Sequence, residues 1–274
     1  MAVAAPVRPS TARWPWRFRT RQFAWAVVDL VFPPECAGCG RPGQRFCAPC
    51  QARLSILTPP LCTNCGYPVE RAGQCRLCQA GTNPVSPLVG IRSAAFFEGS
   101  LQKSIHRFKY RRELILADTL AGLMIAAGPV EAPAGCLVVP VPLSPERLAE
   151  RGYNQAMLLA RAYAELRGLR WTQHGARRVR HTASQVGLSA HQRRLNVAGA
   201  FEADRRVVAG KPMILVDDVC TTGATLGACA AALLAAGATE VWGLTLARAR
   251  LTEDKADSRL RQSGAVPGYL DTEP

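Results

Sequence analysis

The chain has 274 residues, a formal charge of +14 and only 7% aromatic residues. That length admits one full-size domain with one or two small modules, and the Ala-, Leu-, Val- and Gly-rich composition is that of an α/β protein. The positive balance points to phosphate-rich partners, whether nucleotides, nucleic acid or an anionic surface, although charge alone does not separate these from a merely soluble Arg-rich protein.

Residues 1–34 read as a basic arm and a short helix. Arg8, Arg13, Arg17, Arg19 and Arg21 interleave with Trp14, Trp16 and Phe18 without a helix or strand period. Phe23–Phe32 suits one or two helical turns that Pro33-Pro34 stop, because proline lacks the amide donor and restricts its predecessor. This apolar stretch contains Asp29 and falls well short of the roughly 20 residues of a membrane span. No small-residue cleavage site of a secretory signal follows it. No membrane span is expected, and the expected location is the cytoplasm.

Residues 35–80 hold eight of the eleven cysteines, all as Cys-x-x-Cys pairs: Cys36/Cys39, Cys47/Cys50, Cys62/Cys65 and Cys75/Cys78. Clustered pairs in a reducing compartment point to metal rather than to disulfides. Each knuckle puts two thiolates on one ion, and two knuckles complete a tetrahedral Cys₄ site suited to zinc. Sequential pairing makes two zinc ribbons. Interleaved pairing, and iron in place of zinc, stay open on the residues alone. Four protein ligands per ion leave no position for water activation, so the expected role of the two Zn²⁺ is structural. With so few apolar residues nearby, the metal must supply most of the folding free energy of this module.

After a linker at Asn83–Pro87, residues 90–250 alternate between strand and helix patterns. Ile91–Phe97 is strand-like. Ser104–Ala126 carries Ile105, Phe108, Ile115, Leu116, Leu120, Leu123 and Met124 at helical spacing. Leu137–Val141 suits a buried parallel strand, Asn154–Leu166 a helix stopped at Gly168, Met213–Val216 a strand, Thr225–Ala236 a helix ended by Gly237, and Glu240–Leu246 a last strand. This alternation predicts a parallel sheet flanked by helices. Residues 251–274 read as a polar tail.

The segment Ile214–Leu226 carries the chemistry. An apolar strand runs into Asp217 and Asp218, then a hydroxyl-rich turn, then a helix. Amides of the segment from Thr221 through Thr222, Gly223 and Ala224 to Thr225 would converge on an anion at the helix N-terminus, with the threonine hydroxyls adding donors. Gly223 permits close backbone approach, and the two acids supply acceptors for ribose hydroxyls. The pattern is that of the phosphoribosyl-diphosphate (PRPP) loop of type I phosphoribosyltransferases. Cys220 is expected to pack into the strand end rather than act as a nucleophile. Val139–Arg147 sits where a pyrophosphate loop belongs, and the polar segment His181–Asn196 where a flexible hood belongs. No Walker-type phosphate loop occurs.

With Phe108-Lys109-Tyr110, Val139-Pro140-Val141-Pro142, Arg151-Gly152-Tyr153-Asn154-Gln155 and Thr182-x-x-Gln185-x-x-Leu188 followed by Arg193 and Asn196, the chain resembles the ComF family of competence and DNA-utilisation proteins. The resemblance covers roughly residues 25–250. It implies a type I phosphoribosyltransferase-like fold behind an N-terminal double zinc ribbon, a role in natural transformation beside DNA-uptake machinery proteins, and binding of single-stranded DNA.

Two basic zones besides the arm suit phosphate: Lys103–Arg112, and Arg177–Arg194. Within them and near them, Lys109, Arg151, Arg180, Arg193 and Arg194 are the candidates for nucleic acid or for the diphosphate of PRPP, two ligands with the same requirement. Tyr110, Tyr153 and Trp171 are candidate stacking platforms. The favoured function is binding of PRPP, or a related ribose phosphate, together with single-stranded DNA. The alternative is an active phosphoribosyltransferase that displaces diphosphate with a nitrogen nucleophile, with Mg²⁺ held mostly by ligand oxygens. No nucleobase-recognition segment follows Leu246, and no catalytic residue is assigned. A vestigial loop on a zinc-linked scaffold is the third reading.

Overall fold

The computed structural model describes residues 29, 33–81, 87–126, 133–180 and 190–250. The basic arm, most of the Phe23–Phe32 turn and of the Asn83–Pro87 linker, the first half of the expected hood loop, the side chains of Arg193 and Arg194, and the polar tail lie outside these residues.

The cysteine module carries two short helices, α1 (Ala48–Ala52) and α2 (Arg76–Gln79), each starting directly after a knuckle cysteine. The second part comprises β1 (Gly90–Phe96), α3 (Gly99–Tyr110), α4 (Leu116–Ala126), β2 (Leu137–Pro140), α5 (Pro145–Arg151), α6 (Gln155–Arg167) and β3 (Arg170–Trp171). It continues with β4 (Ala176–Arg178), α7 (Ala190–Val197), β5 (Phe201–Ala203), α8 (Arg205–Val208), β6 (Pro212–Cys220), α9 (Ala224–Ala235) and β7 (Glu240–Arg248). The sheet has the order β1-β7-β6-β2-β3, with every neighbouring pair parallel. β4 and β5 form a separate antiparallel ribbon.

Strand periodicity sorts the core into two layers. Ile214 and Val216 of β6 join Val138, Leu244 and Leu246 against α3, α4 and α6, where Phe108, Leu120 and Leu159 are fully buried. Met213 and Leu215 point the other way, to Leu226, Ala230 and Leu233 of α9. Burying each such Leu or Phe contributes about 1.5–3 kcal/mol. The expected parallel sheet between helical layers is what forms.

Two expectations change in detail. The apolar file over Ser104–Ala126 is not one helix: it breaks between α3 and α4, where Arg112 takes φ +55°. That left-handed residue reverses the chain so that both helices lie on the same sheet face. The second half of His181–Asn196 is helical, as α7, rather than loop.

The cysteine module is seated on the sheet. Asn64 O accepts from Ile91 N at 2.7 Å, Ser55 O from Phe96 N at 2.9 Å, and Ala94 O from Leu57 N at 3.1 Å. Gly66 has φ +68°, and a Cβ there would lie 2.2 Å from Ile91 O, so only glycine fits this approach. The first knuckles dock on α3, where Arg107 Nη1 donates to Cys36 O at 3.1 Å and Ser100 Oγ to Cys50 O at 3.1 Å.

Candidate functional site

The eight knuckle cysteines assemble sequentially. Cys36, Cys39, Cys47 and Cys50 form one group and Cys62, Cys65, Cys75 and Cys78 the other, all sulfurs of a group lying within 4.8 Å of one another. Four sulfurs at about 2.3 Å from a tetrahedral zinc are separated by about 3.7–3.8 Å. Cys39 and Cys47 Sγ are 3.6 Å apart, and Cys65 and Cys75 Sγ are 3.7 Å apart. Backbone amides prepare the charge. Burial opposes ionisation, yet the amides of Cys47, Cys39 and Gly38 bring the Cys36 thiol down to about 6, and those of Cys65, Cys75 and Asn64 do the same for Cys62. The donor sets fit structural zinc, which would close each ribbon by tying its two knuckles together.

The second site lies at the carboxyl ends of β2 and β6, where ligands of parallel α/β sheets sit. β6 extends to Cys220, so Asp217 and Asp218 belong to the strand. Gly223, at φ +85°, caps α9, and Thr222 Oγ1 accepts from Ala224 N at 3.3 Å. Val141 N donates to Val216 O at 2.9 Å, and Asn154 Nδ2 to Val141 O at 3.0 Å, which fixes the Val139–Arg147 segment beside the acids. Within that segment Ser144 caps α5, with Pro145 at the first helical position. α5 ends at Gly152 in the left-handed region, and Asn154 caps α6.

These elements enclose a cleft of about 780 Å³, within the range of small-molecule sites. Of the phosphate-loop candidates, Asp217, Asp218, Thr221, Gly223, Ala224 and Thr225 line it, whereas Thr222 stands behind and shapes the turn. Of the basic candidates, Lys109 and Arg151 line it. Arg180 does not: its guanidinium donates to the carbonyls of Asn196 at 2.9 Å and Ala198 at 2.7 Å, tying the residue just before His181–Asn196 to the end of α7. Of the stacking candidates, Tyr110 is 64% exposed at the cleft. Tyr153 is buried, because its hydroxyl donates to Phe108 O across to α3. Trp171 packs against the core from β3 and lies outside the cleft lining.

The electrostatics combine basic side chains with two adjacent acids. Lys109 Nζ is 2.8 Å from Asp218 Oδ2. Burial, reinforced by the neighbouring Asp218 charge, pushes the Asp217 carboxyl up to about 7. Burial pushes the Cys220 thiol up as well, which fits its packing role and disfavours a thiolate nucleophile. Cys220 Sγ accepts from Nη1 of the fully buried Arg248 at 2.8 Å, and the Arg248 guanidinium lies over the Tyr67 ring of the second ribbon.

Three cleft residues escaped the site assignment from sequence. Arg147 and Arg178 line the cleft and add two cations; Arg147 closes the candidate pyrophosphate loop and Arg178 lies in the second basic zone, but nothing local ranks them above their neighbours. Gln155 also lines it, 2% exposed, with no hydrogen-bond partner for Nε2 among the described residues. Its signal was its place in the Arg151–Gln155 run.

Comparison with known proteins follows the same two parts. A family model described as a double zinc ribbon domain matches residues 27–79. The DNA utilization protein YhgH of Salmonella typhi is 34% identical over 177 residues, covering 62% of this chain and 76% of the relative. The chain belongs to the ComF family. Two further ComF relatives bear competence names: competence protein F of Haemophilus influenzae, 36% identical over 154 residues (52% of this chain, 66% of the relative), and competence protein ComFC of Bacillus subtilis, 28% identical over 213 residues (76% and 86%). Among solved structures, the allosteric regulatory enzyme of purine biosynthesis is 27% identical with a TM-score of 0.34, over 48% of this ComF chain and 25% of the enzyme. A hypoxanthine phosphoribosyl transferase of Trypanosoma cruzi is 16% identical with a TM-score of 0.28, over 51% and 64%. This chain thus spans about a quarter of the first enzyme's length. The parallel sheet flanked by helices and the N-terminal double zinc ribbon expected from sequence are both present. No helix among the described residues is long and apolar enough to cross a membrane.

Proposed function

We propose that this chain acts in the uptake and handling of DNA, holding PRPP or a related ribose phosphate with Mg²⁺ in the cleft and single-stranded DNA on the basic surface around it. The names of the relatives, DNA utilization and competence proteins, support the role in DNA handling; the setting in this proposal is the cytoplasm, beside proteins of the uptake machinery. The observation that carries the ligand is the cleft itself. One helix N-terminus with hydroxyl-bearing residues, two adjacent acids and four cations (Lys109, Arg147, Arg151 and Arg178) face one space. A ribose phosphate needs amide donors for its phosphate, acceptors for its hydroxyls and cations for a diphosphate. In this reading Asp217 and Asp218 take the ribose, Thr221, Thr222, Gly223, Ala224 and Thr225 the 5′-phosphate, and Lys109 and Arg151 the diphosphate. Arg180, Arg193 and Arg194 serve the nucleic acid.

The test is a titration of PRPP–Mg²⁺ and of single-stranded DNA against wild type and an Asp217→Ala/Asp218→Ala variant. The variant is expected to lose PRPP and keep DNA. Failure of the wild type to bind PRPP sinks the ligand assignment, and DNA affinity indifferent to salt sinks the basic surface. A second reading, transfer of the phosphoribosyl group to a nitrogen acceptor, draws on Asp217, whose carboxyl near 7 suits a general base. Release of diphosphate from PRPP in the presence of an acceptor would favour it.

A further inference from the structure

An aromatic file runs along the exposed side of α3 into the cleft. The rings of Phe97 and His106 stack with centroids 6.2 Å apart and planes 21° apart, and His106 and Tyr110 follow at 5.8 Å. The Arg151 guanidinium caps the file, 5.1 Å from the Tyr110 centroid, with Nη2 3.5 Å from the hydroxyl. His106 and Tyr110 are both exposed, and Phe97 is half-buried, its ring packing on the core at the far end of the file. Its two ends and the cleft are continuous, since Phe97, Tyr110 and Arg151 also line the cleft.

The charges around the file are predominantly positive. Lys103, Arg107, Lys109, Arg111 and Arg112 belong to α3 or the turn after it; Glu113 pairs with Arg107 at 2.6 Å and Asp218 with Lys109 at 2.8 Å, which leaves Lys103, Arg111 and Arg112 as the excess. Exposed rings flanked by cations and a planar guanidinium match one partner chemistry: unpaired bases for the rings and a phosphate backbone for the cations. A base pair buries the faces that such rings need, so a duplex does not fit.

We infer that the Phe97–His106–Tyr110 file with Arg151 is the track for single-stranded nucleic acid, and that it ends in the mouth of the ribose-phosphate cleft, so that a bound strand and a bound ribose phosphate exclude each other. This rests on the ribose-phosphate reading of the cleft for the second clause only. The track itself stands on the file.

The test is fluorescence anisotropy of a labelled oligodeoxythymidylate at fixed salt, with the full-length zinc-loaded protein. His106→Ala and Tyr110→Ala, both at exposed positions, are each expected to weaken binding by roughly tenfold, as loss of one base–aromatic stack does. Tyr110→Phe is expected to restore it. His106, outside the cleft lining, serves as the separating variant: PRPP–Mg²⁺ binding by calorimetry stays at the wild-type value. Saturating PRPP–Mg²⁺ is expected to displace the oligonucleotide competitively. Unchanged DNA affinity in both alanine variants overturns the track. Wild type that binds PRPP and DNA together without mutual displacement overturns the exclusion while leaving the ribose-phosphate reading intact. Wild type that binds no PRPP defeats that reading and the exclusion with it, and the track is then decided by the two alanine variants.

Discussion

Lys109 Nζ of α3 lies 2.8 Å from Asp218 Oδ2 of β6, joining residues 109 positions apart at the floor of the cleft. Both side chains are mostly shielded from water, at 19% and 10% exposure. A carboxylate left there without its cation loses more than the pair itself contributes. Lys109→Met and Asp218→Asn are each expected to lower stability, and the double variant to lose less than the two combined. Urea melts of all four proteins should give a coupling energy of about 0.5–3 kcal/mol. Additive losses would show that the pair is incidental.

Asp217 makes a prediction about pH. Its carboxyl is pushed up to about 7 by burial and by Asp218, so the folded protein holds this proton where an unfolded chain has released it. The contribution to stability is therefore present at low pH and falls as pH rises from the ordinary carboxylate range through about 7. Ligand affinity should move the other way, because ribose hydroxyls require the ionised acceptor. PRPP binding is expected to strengthen between roughly pH 6 and 8 and then level off, with the second ionisation of the 5′-phosphate near 6 adding in the same direction. Asp217→Asn should bind more weakly above pH 8 and lose the part of the slope nearest 7. Calorimetric titrations of both proteins across that window decide it.

Arg248 is fully buried, donates to Cys220 Sγ, and has no carboxylate partner among the described residues. Burial alone would push its guanidinium down, but the sulfurs of Cys220 and Cys65 outweigh that and hold it above the usual arginine value. A zinc-bound tetrathiolate carries net negative charge, so Arg248 is its natural counter-ion from the sheet side. Metal analysis should find about two zinc ions per chain. Arg248→Met is expected to weaken the second site alone, by roughly 10–100-fold as outer-shell changes do. Zinc release to a chromophoric chelator should then split into one fast and one unchanged phase. A single unchanged phase would remove Arg248 from this role.

What is legible in the sequence depends on how local each feature is. The two acids, the threonines and Gly223 are contiguous, so their chemistry could be read from spacing, and the same holds for each Cys-x-x-Cys knuckle. Lys109, Arg147, Arg151 and Arg178 come from α3, the start and end of α5, and β4. Their convergence depends on how four connections fold back, which no local pattern encodes. Tyr153 misled for a related reason. An aromatic ring flanked by polar residues reads as exposed, yet its hydroxyl meets the Phe108 carbonyl across a helix interface. The break at Arg112 was hidden because apolar spacing continues on both sides of it, and a non-glycine residue at φ +55° carries no composition signal.

Gly66 tests the seating of the second ribbon. Alanine there would put a methyl group 2.2 Å from the Ile91 carbonyl oxygen and would hold an L-residue at φ +68°. The strained backbone alone costs about 1–3 kcal/mol, and the clash forces the knuckle off β1. Thermal melts are expected to shift down, and limited proteolysis to cut first between the ribbon and the sheet. A wild-type melting point with an unchanged digest would show that the ribbon is only loosely placed.

That seating has a consequence for how the protein behaves when metal is scarce. β1 is the outermost strand on its side of the sheet, and the amides of Ile91 and Phe96 and the carbonyl of Ala94 all bond to the ribbon module. An uncovered outer strand with apolar residues such as Ile91 and Phe96 is a template for strand addition by a second chain. Seated there, the ribbon module covers this edge, and losing that cover is expected to favour self-association. Chelation should appear first as aggregates, seeded at β1, before the central strands β6 and β7 lose their order.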